Sequence, residues 1–377
     1  PEGALYHAES LFILGQAQKA LDVLGNVTGE TPVALCARAY EKHISGRTSE
    51  ARDLFSKASS MGGRCGSTLG ARLLMKSGAS KALLTHLVRA LERREDLRDR
   101  VTLARLRYRE DGVDAGQREL DKVRALGPEG AVVLRELALA YDELGLDEEA
   151  NAVATKAIEI TQNSDLIIAT AAKLARGSKR YDDARALLDN GLKAHPNSLE
   201  LRMELAELLT EQTKLHAVED VIERVLVQSH LFADAVCLRA HIYNRRGDAE
   251  DQQVFMMRSL GKAREYMGIH GEVAVRKCLV DYHLHRGPSA LGRAKTAFHF
   301  LKRIPAEDSS IAYYGGWLSE RDTRNSEAAN YYRKAIELDP AFRPAYWRLF
   351  KMRRLTDAQE AQKNLLWPPD DEDGEGR

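Results

Sequence analysis

The sequence is poor in the residues that carry most enzyme and metal chemistry. Its 377 residues include four cysteines, three tryptophans and ten prolines, and aromatics make up 6%. Cys36, Cys65, Cys237 and Cys278 form no CxxC pair, which excludes zinc-ribbon and thioredoxin-type patterns. Isolated cysteines of this kind are expected to be reduced, packed side chains of a cytosolic protein. No run approaches the roughly 18–20 apolar residues that span a bilayer, and no secretory signal is visible. The chain opens at Pro1 without a methionine. The expected compartment is the cytoplasm, with a periplasmic or membrane-tethered location following if a signal or anchor lies upstream.

Catalytic signatures are missing too. No glycine-rich phosphate loop follows a strand pattern, and HExxH, GxSxG and kinase signatures are absent. The glycines of MGGRCGS read as a loop between helices. His283 and His285 are two apart and fall on different sides of a helix, which makes them poor co-ligands for a metal. These absences predict a non-enzyme with no cofactor, no metal and no small-molecule substrate.

Charge is balanced overall, 56 Lys+Arg against 56 Asp+Glu, but unevenly spread. Residues 1–130 carry a net +4, 131–232 a net −7, 233–369 a net +7 and 370–377 a net −4. Alternating blocks suit protein partners with complementary patches, whereas nucleic acid requires one sustained basic stripe. The Arg-rich stretch 91–111 is interrupted by acids throughout, as on a solvated helix with local ion pairs.

What is present is a period. Ala138, Ala172, Ala206 and Ala240 are each 34 apart, and Tyr141, Ala175, Leu209 and Tyr243 each follow one more helical turn along. Self-similarity at a fixed spacing predicts stacked units that bury their apolar faces against their neighbours. The clearest unit is 131–164. Leu134, Leu137, Ala138 and Tyr141 share one helical face, ELGLDEEA supplies a turn at Gly145, and Ala150, Val153, Ala154, Ala157 and Ile158 make a second stripe. Small residues at Ala138 and Ala150 let the two helices approach closely. Further units follow at 165–198, 199–232 and from 233, and EAANYYRKAIELDP places Ala328, Tyr332, Ala335 and Pro340 at equivalent second-helix positions. Looser copies centre on Ala20, Ala51, Ala82, Ala115 and Ala294.

This pattern resembles the tetratricopeptide repeat family, in which W-x2-L-G-x2-Y precedes A-x3-F, a small residue and a proline. Leu134, Leu137, Ala138 and Tyr141 take the first-helix positions, and Ala150, Ala154 and Ala157 those of the second. The closing proline is replaced by Gln162 here and is present as Pro196 and Pro340 in later units. The resemblance implies an all-α, right-handed superhelical solenoid of about ten helix-turn-helix repeats over residues 1–342. Residues 343–366 read as capping helices, and 367–377 as an acidic, disordered tail.

The resemblance further implies that the first helix of each repeat lines a concave groove that binds a partner peptide, helix or protein. Its inward positions select Arg135, Lys173, Glu207, His241, His283, Tyr313 and Trp317, with Asn244 and Arg245 a turn further on. The Lys/Asn/Arg clamp and the asparagine ladder known in some members have no match here. Three readings stay open: an interaction scaffold or adaptor, an assembly factor of a bacterial envelope machine such as a pilus or secretion system, and the regulatory region of a longer enzyme.

Overall fold

The computed structural model describes residues 2–61, 88, 91–92, 96–161, 164–247, 249–286, 288–304 and 308–366. MGGRCGS after Met61, the copy around Ala82, and the acidic tail lie outside the described residues. Those described form nineteen α-helices in hairpins, and no strand. They are α1 (Glu2–Ile13), α2 (Ala17–Gly25), α3 (Pro32–Ile44), α4 (Thr48–Ser60), α5 (Leu97–Asp111), α6 (Val113–Ala125), α7 (Ala131–Glu143), α8 (Asp147–Ile160), α9 (Asp165–Gly177), α10 (Tyr181–Ala194), α11 (Leu199–Glu211) and α12 (Leu215–Ile222). Then come α13 (Phe232–Arg246), α14 (Ala249–His285), α15 (Leu291–Leu301), α16 (Ser309–Arg321), α17 (Asn325–Leu338), α18 (Arg343–Lys351) and α19 (Asp357–Leu366). α14 is two helices in one, since Gly268 breaks it with φ +63°. Its first half closes the hairpin begun by α13, and its second half opens the next.

The period of the alanines is also written into the backbone. Gly145, Lys179, Thr213 and Gly247 are each 34 apart and each has positive φ, at 76°, 58°, 58° and 83°. These residues reverse the chain inside successive hairpins. Only glycine adopts this conformation without steric cost. Thr31, Asp96, Ser198 and Asp308 cap first helices, their side chains accepting from backbone N–H groups at the helix start. Leu134, Leu137, Ala138 and Tyr141 are at most 1% exposed. The same holds for Ala328, Tyr332 and Ala335. A Cβ at Gly316 would lie 2.5 Å from the Tyr332 ring, and one at Gly116 would lie 2.8 Å from Tyr108 Cβ.

Early hairpins also meet late ones. Gln228 Nε2, in the connection between α12 and α13, donates to Gly15 O in the turn between α1 and α2 (2.9 Å). At the Gly268 break, His270 Nε2 donates to His43 O at the end of α3 (2.7 Å), and the two imidazoles stack with centroids 4.5 Å apart. At the end of α5, Arg109 pairs with Asp339 in the connection between α17 and α18 (2.6 Å). These pairs are separated by 213, 227 and 230 residues, a nearly constant offset that marks one turn of the superhelix. Successive superhelical turns therefore touch. The helices 343–366 do not simply cover the end of the spine: Gln362 donates to Arg109 O (3.4 Å), and Tyr346, Leu349 and Leu366 share one core with Val101, Ala104 and Tyr108.

Two substitutions check this account. Thr213→Gly relieves a β-branched residue of positive φ and is expected to raise stability by about 1 kcal/mol. Gly316→Ala pushes a methyl into a ring with no room to move and is expected to lower stability by about 1–3 kcal/mol. Denaturant midpoints of the two variants, shifting in opposite directions, are the measurement.

Candidate functional site

The first helices stand side by side, and a ladder of polar contacts joins each to the next. Arg105 on α5 pairs with Glu136 and Glu143 on α7 (2.7 and 3.0 Å). Arg135 Nε donates to Thr170 Oγ1 on α9 (3.2 Å). Arg176 pairs with Glu204 (3.1 Å) and Glu211 on α11. Arg245 Nη1 on α13 donates to Thr210 O (3.1 Å). Lys277 pairs with Asp308 (3.2 Å), and Tyr314 OH donates to Asp281 Oδ1 (3.3 Å). Arg348 on α18 closes the series: it pairs with Glu320 (3.3 Å), donates to Tyr313 OH (3.4 Å) and lies 4.8 Å from the Trp317 ring centroid.

Along this face the sign of charge changes. On α11, burial raises the carboxyl pKa values of Glu204 and Glu207, against the opposing pull of Arg176. On α13, burial and then the Arg245 charge lower the pKa of His241, while Asp281 acts the other way. Lys173, His241 and Arg245 are exposed, and Arg135, Glu207, Asn244 and Tyr313 are half-buried. His283 and Trp317 are only 3% and 8% exposed. Trp317 lies beneath Arg348 and against His285. The face that meets α13 and α16 carries Lys277, Asp281 and His285 instead. In the hairpin begun by the second half of α14, Tyr282 stands 34 residues before Gly316 where other units have alanine or glycine, so extrapolating the period misses this face. The polar i, i+4 spacing of Lys277, Asp281 and His285 is the signal that locates it.

Cys65 lies outside the described residues, and the three described cysteines are not reduced as expected. Cys237 on α13 and Cys278 on α14 form a disulfide with Cα atoms 5.6 Å apart, a covalent rung between neighbouring first helices. Cys36 is disulfide-bonded as well. The sequence separation of 41 hid the Cys237–Cys278 pairing, because only the stacking of hairpins brings these positions together. Among the described residues, no group of three or more His, Cys, Asp or Glu is placed to hold a metal ion, and no helix is long and apolar enough to cross a membrane.

The tetratricopeptide repeat models match residues 175–241 and 316–342. The chain carries tetratricopeptide repeats. These two stretches run from the end of α9 into α13, and from the middle of α16 through α17. Among solved structures, yeast Tom70 is 12% identical, with 95% of this chain and 88% of that one covered, at a TM-score of 0.55. The human IFIT1 dimer with PPP-AAAA is 18% identical, with 86% and 87% covered and a TM-score of 0.43. PilW, described as a widely conserved type IV pilus biogenesis factor, is 14% identical, with 61% and 97% covered and a TM-score of 0.42. Tom70 shares the fold. No curated protein matches the chain in sequence.

Among the tetratricopeptide helices, buried His283 supplies a pH test. Burial, then the nearby Arg293 and Arg286 charges, lower its imidazole pKa from 6.5 to about 4. Its Nδ1 has no hydrogen-bond partner among the described residues. The unfolded chain takes up a proton below 6.5 that the folded chain refuses until about 4. The stability that neutral His283 contributes is therefore fully present above that window and is lost as pH falls through it. The loss is about 3 kcal/mol. Urea midpoints across this range should fall less steeply with acid for His283→Gln than for the parent chain.

Proposed function

We propose that this protein is a non-catalytic interaction scaffold that holds a peptide or helix of a protein partner against the face of its first helices. The observation that carries this reading is the set Lys173, His241 and Arg245. All three are exposed on first helices, and the cations Lys173 and Arg245 make no ion pair with a carboxylate among the described residues. Arg245 spends a hydrogen bond on the Thr210 carbonyl, which leaves its charge uncompensated. Glu204, Glu207 and Glu211 lie on α11 between Lys173 on α9 and Arg245 on α13, so the face suits a partner segment carrying both signs. Charge complementarity of this kind selects partners and speeds encounter.

The test is affinity capture from the source organism followed by mass spectrometry. Lys173→Glu with Arg245→Glu should weaken retention of the captured partner about tenfold or more. Reversal of Lys156, which is exposed on second helix α8, should leave retention unchanged. Equal retention by both variants removes the assignment of this face.

The bonded cysteines favour a second element of the reading. Stable disulfides belong to oxidising compartments. The Cys237–Cys278 bond supports a periplasmic or other extracytoplasmic setting over the cytoplasm, and with it a role in assembling an envelope machine. Native protein denatured without reductant should leave Cys237 and Cys278 unalkylated, and reductant should make both reactive. Free thiols at these positions in native protein would remove the compartment argument.

A further inference from the structure

The Cys237–Cys278 bond sets the register of two neighbouring first helices, and a cluster of titratable groups stands beside it. On α13, His241 and Arg245 follow Cys237 at successive helical turns, and on α14 Asp281 and His285 follow Cys278 in the same way. From α16, Tyr314 OH donates to Asp281 Oδ1 (3.3 Å), and Trp317 meets the His285 ring edge-on, with centroids 5.0 Å apart. The cation over the Trp317 ring is Arg348, which is already paired with Glu320. From α11 comes the Thr210 carbonyl, which accepts from Arg245. The α11 carboxylate Glu207 interacts with Arg176, Glu204, Glu211 and Asp234 instead. Among the described residues, Asp281 is thus the carboxylate that acts on His241, and it also serves His285 and Tyr314.

The two imidazoles are held so that a proton changes what they present. His285 Nδ1 lies 2.9 Å from the Asp281 carbonyl oxygen and 3.5 Å from its carboxylate. A carbonyl only accepts, so Nδ1 carries the proton of the neutral ring, and Nε2 presents a lone pair until the ring is charged. His241 has Arg245 one turn away on its own helix. Burial and then the Arg245 charge lower its pKa from 6.5, Asp281 opposes them, and His285 adds to them. Arg245 has no carboxylate partner among the described residues, and protonation of His241 places a second cation beside it. The unbound cluster is therefore short of one anion. We infer that a carboxylate of an acidic partner segment docks here, against Arg245, His241 and His285, and that docking takes up a proton. Such docking rests on the reading of the first-helix face as the partner surface, and it specifies both the chemistry of the segment at α13 and α14 and its control by pH. The sign follows from linkage. The bound carboxylate raises the pKa of His241, so the complex holds a proton that the free protein releases. Affinity is lowest above the bound-state value, rises as pH falls through it, and levels off below the free value. A rise of about one unit corresponds to about a tenfold gain.

The test uses a terminally blocked hexaglutamate peptide, titrated calorimetrically into the oxidised full chain at about pH 6 and about pH 8. Buffers of different ionisation enthalpy report the protons exchanged. The His241 Cε1–H resonance, assigned by its loss in His241→Gln, reports the pKa of that ring with and without peptide. Binding should be about tenfold tighter at the lower pH, with net proton uptake and an upward move of the His241 pKa. His241→Gln and His285→Gln should each flatten the pH dependence, and Arg245→Glu should weaken binding at both pH values. Circular dichroism equal to the parent's separates lost docking from unfolding. Glu204 and Glu207, whose pKa values burial raises, also lose charge toward acid, so the His241 resonance is read beside the affinity. Peptide that binds without moving this resonance overturns the inference and leaves the partner surface itself standing. Peptide that fails to bind at either pH, or binds Arg245→Glu as well as the parent, also overturns it, as does a blocked hexalysine peptide binding in its place. The scaffold reading fails separately, when Lys173→Glu with Arg245→Glu retains the captured partner unchanged.

Discussion

The structure depends on how closely the two helices of each hairpin approach. Alanine or glycine stands where one helix crosses its partner, and a larger residue would drive the axes apart. Ala138, Ala150, Ala172 and Ala206 are buried, with 1% or less of their surface exposed. At Gly316 the backbone lies directly against Tyr332, whose hydroxyl donates to Glu320 (2.7 Å) and anchors the ring. Close approach fixes the angle within a hairpin, and repetition of that angle turns stacked hairpins into a superhelix.

The superhelix is tight enough for its turns to meet, which converts an open spine into a molecule whose early and late hairpins are in contact. Arg109 shows the consequence. It is buried between Glu143 of the next first helix and Asp339 of the next superhelical turn, and both carboxylates raise its pKa against the opposing effect of burial. Removing one partner of such a group leaves an uncompensated charge. Closure is thus held by a few specific pairs added to a continuous apolar core, and the terminal helices are part of that closure.

The same geometry organises the face made by the first helices. Most of its charged groups are engaged with the neighbouring first helix, and the Cys237–Cys278 bond pins α13 to the second half of α14. A face held in this way is pre-organised, which lowers the ordering entropy lost when a partner binds. In the proposed scaffold, the few cations left without carboxylate partners would supply the electrostatic selectivity.

The alanine period identified the hairpins, their buried stripes and the helical class, because those features depend on spacing along a single helix and on side-chain size. It placed Lys173, His241 and Arg245 on first helices, where they are exposed, since these lie where the period is regular. It misplaced the face at 281–285, where Tyr282 stands in place of a small residue, and it offered no sign that Trp317 would be covered by Arg348. The cysteine pairing and the contact of α5 with the last helices were invisible for a single reason. Each depends on which hairpins lie side by side once the chain has stacked and wound. That is set by small rotations accumulated over many packed interfaces, and only the tertiary structure determines their sum.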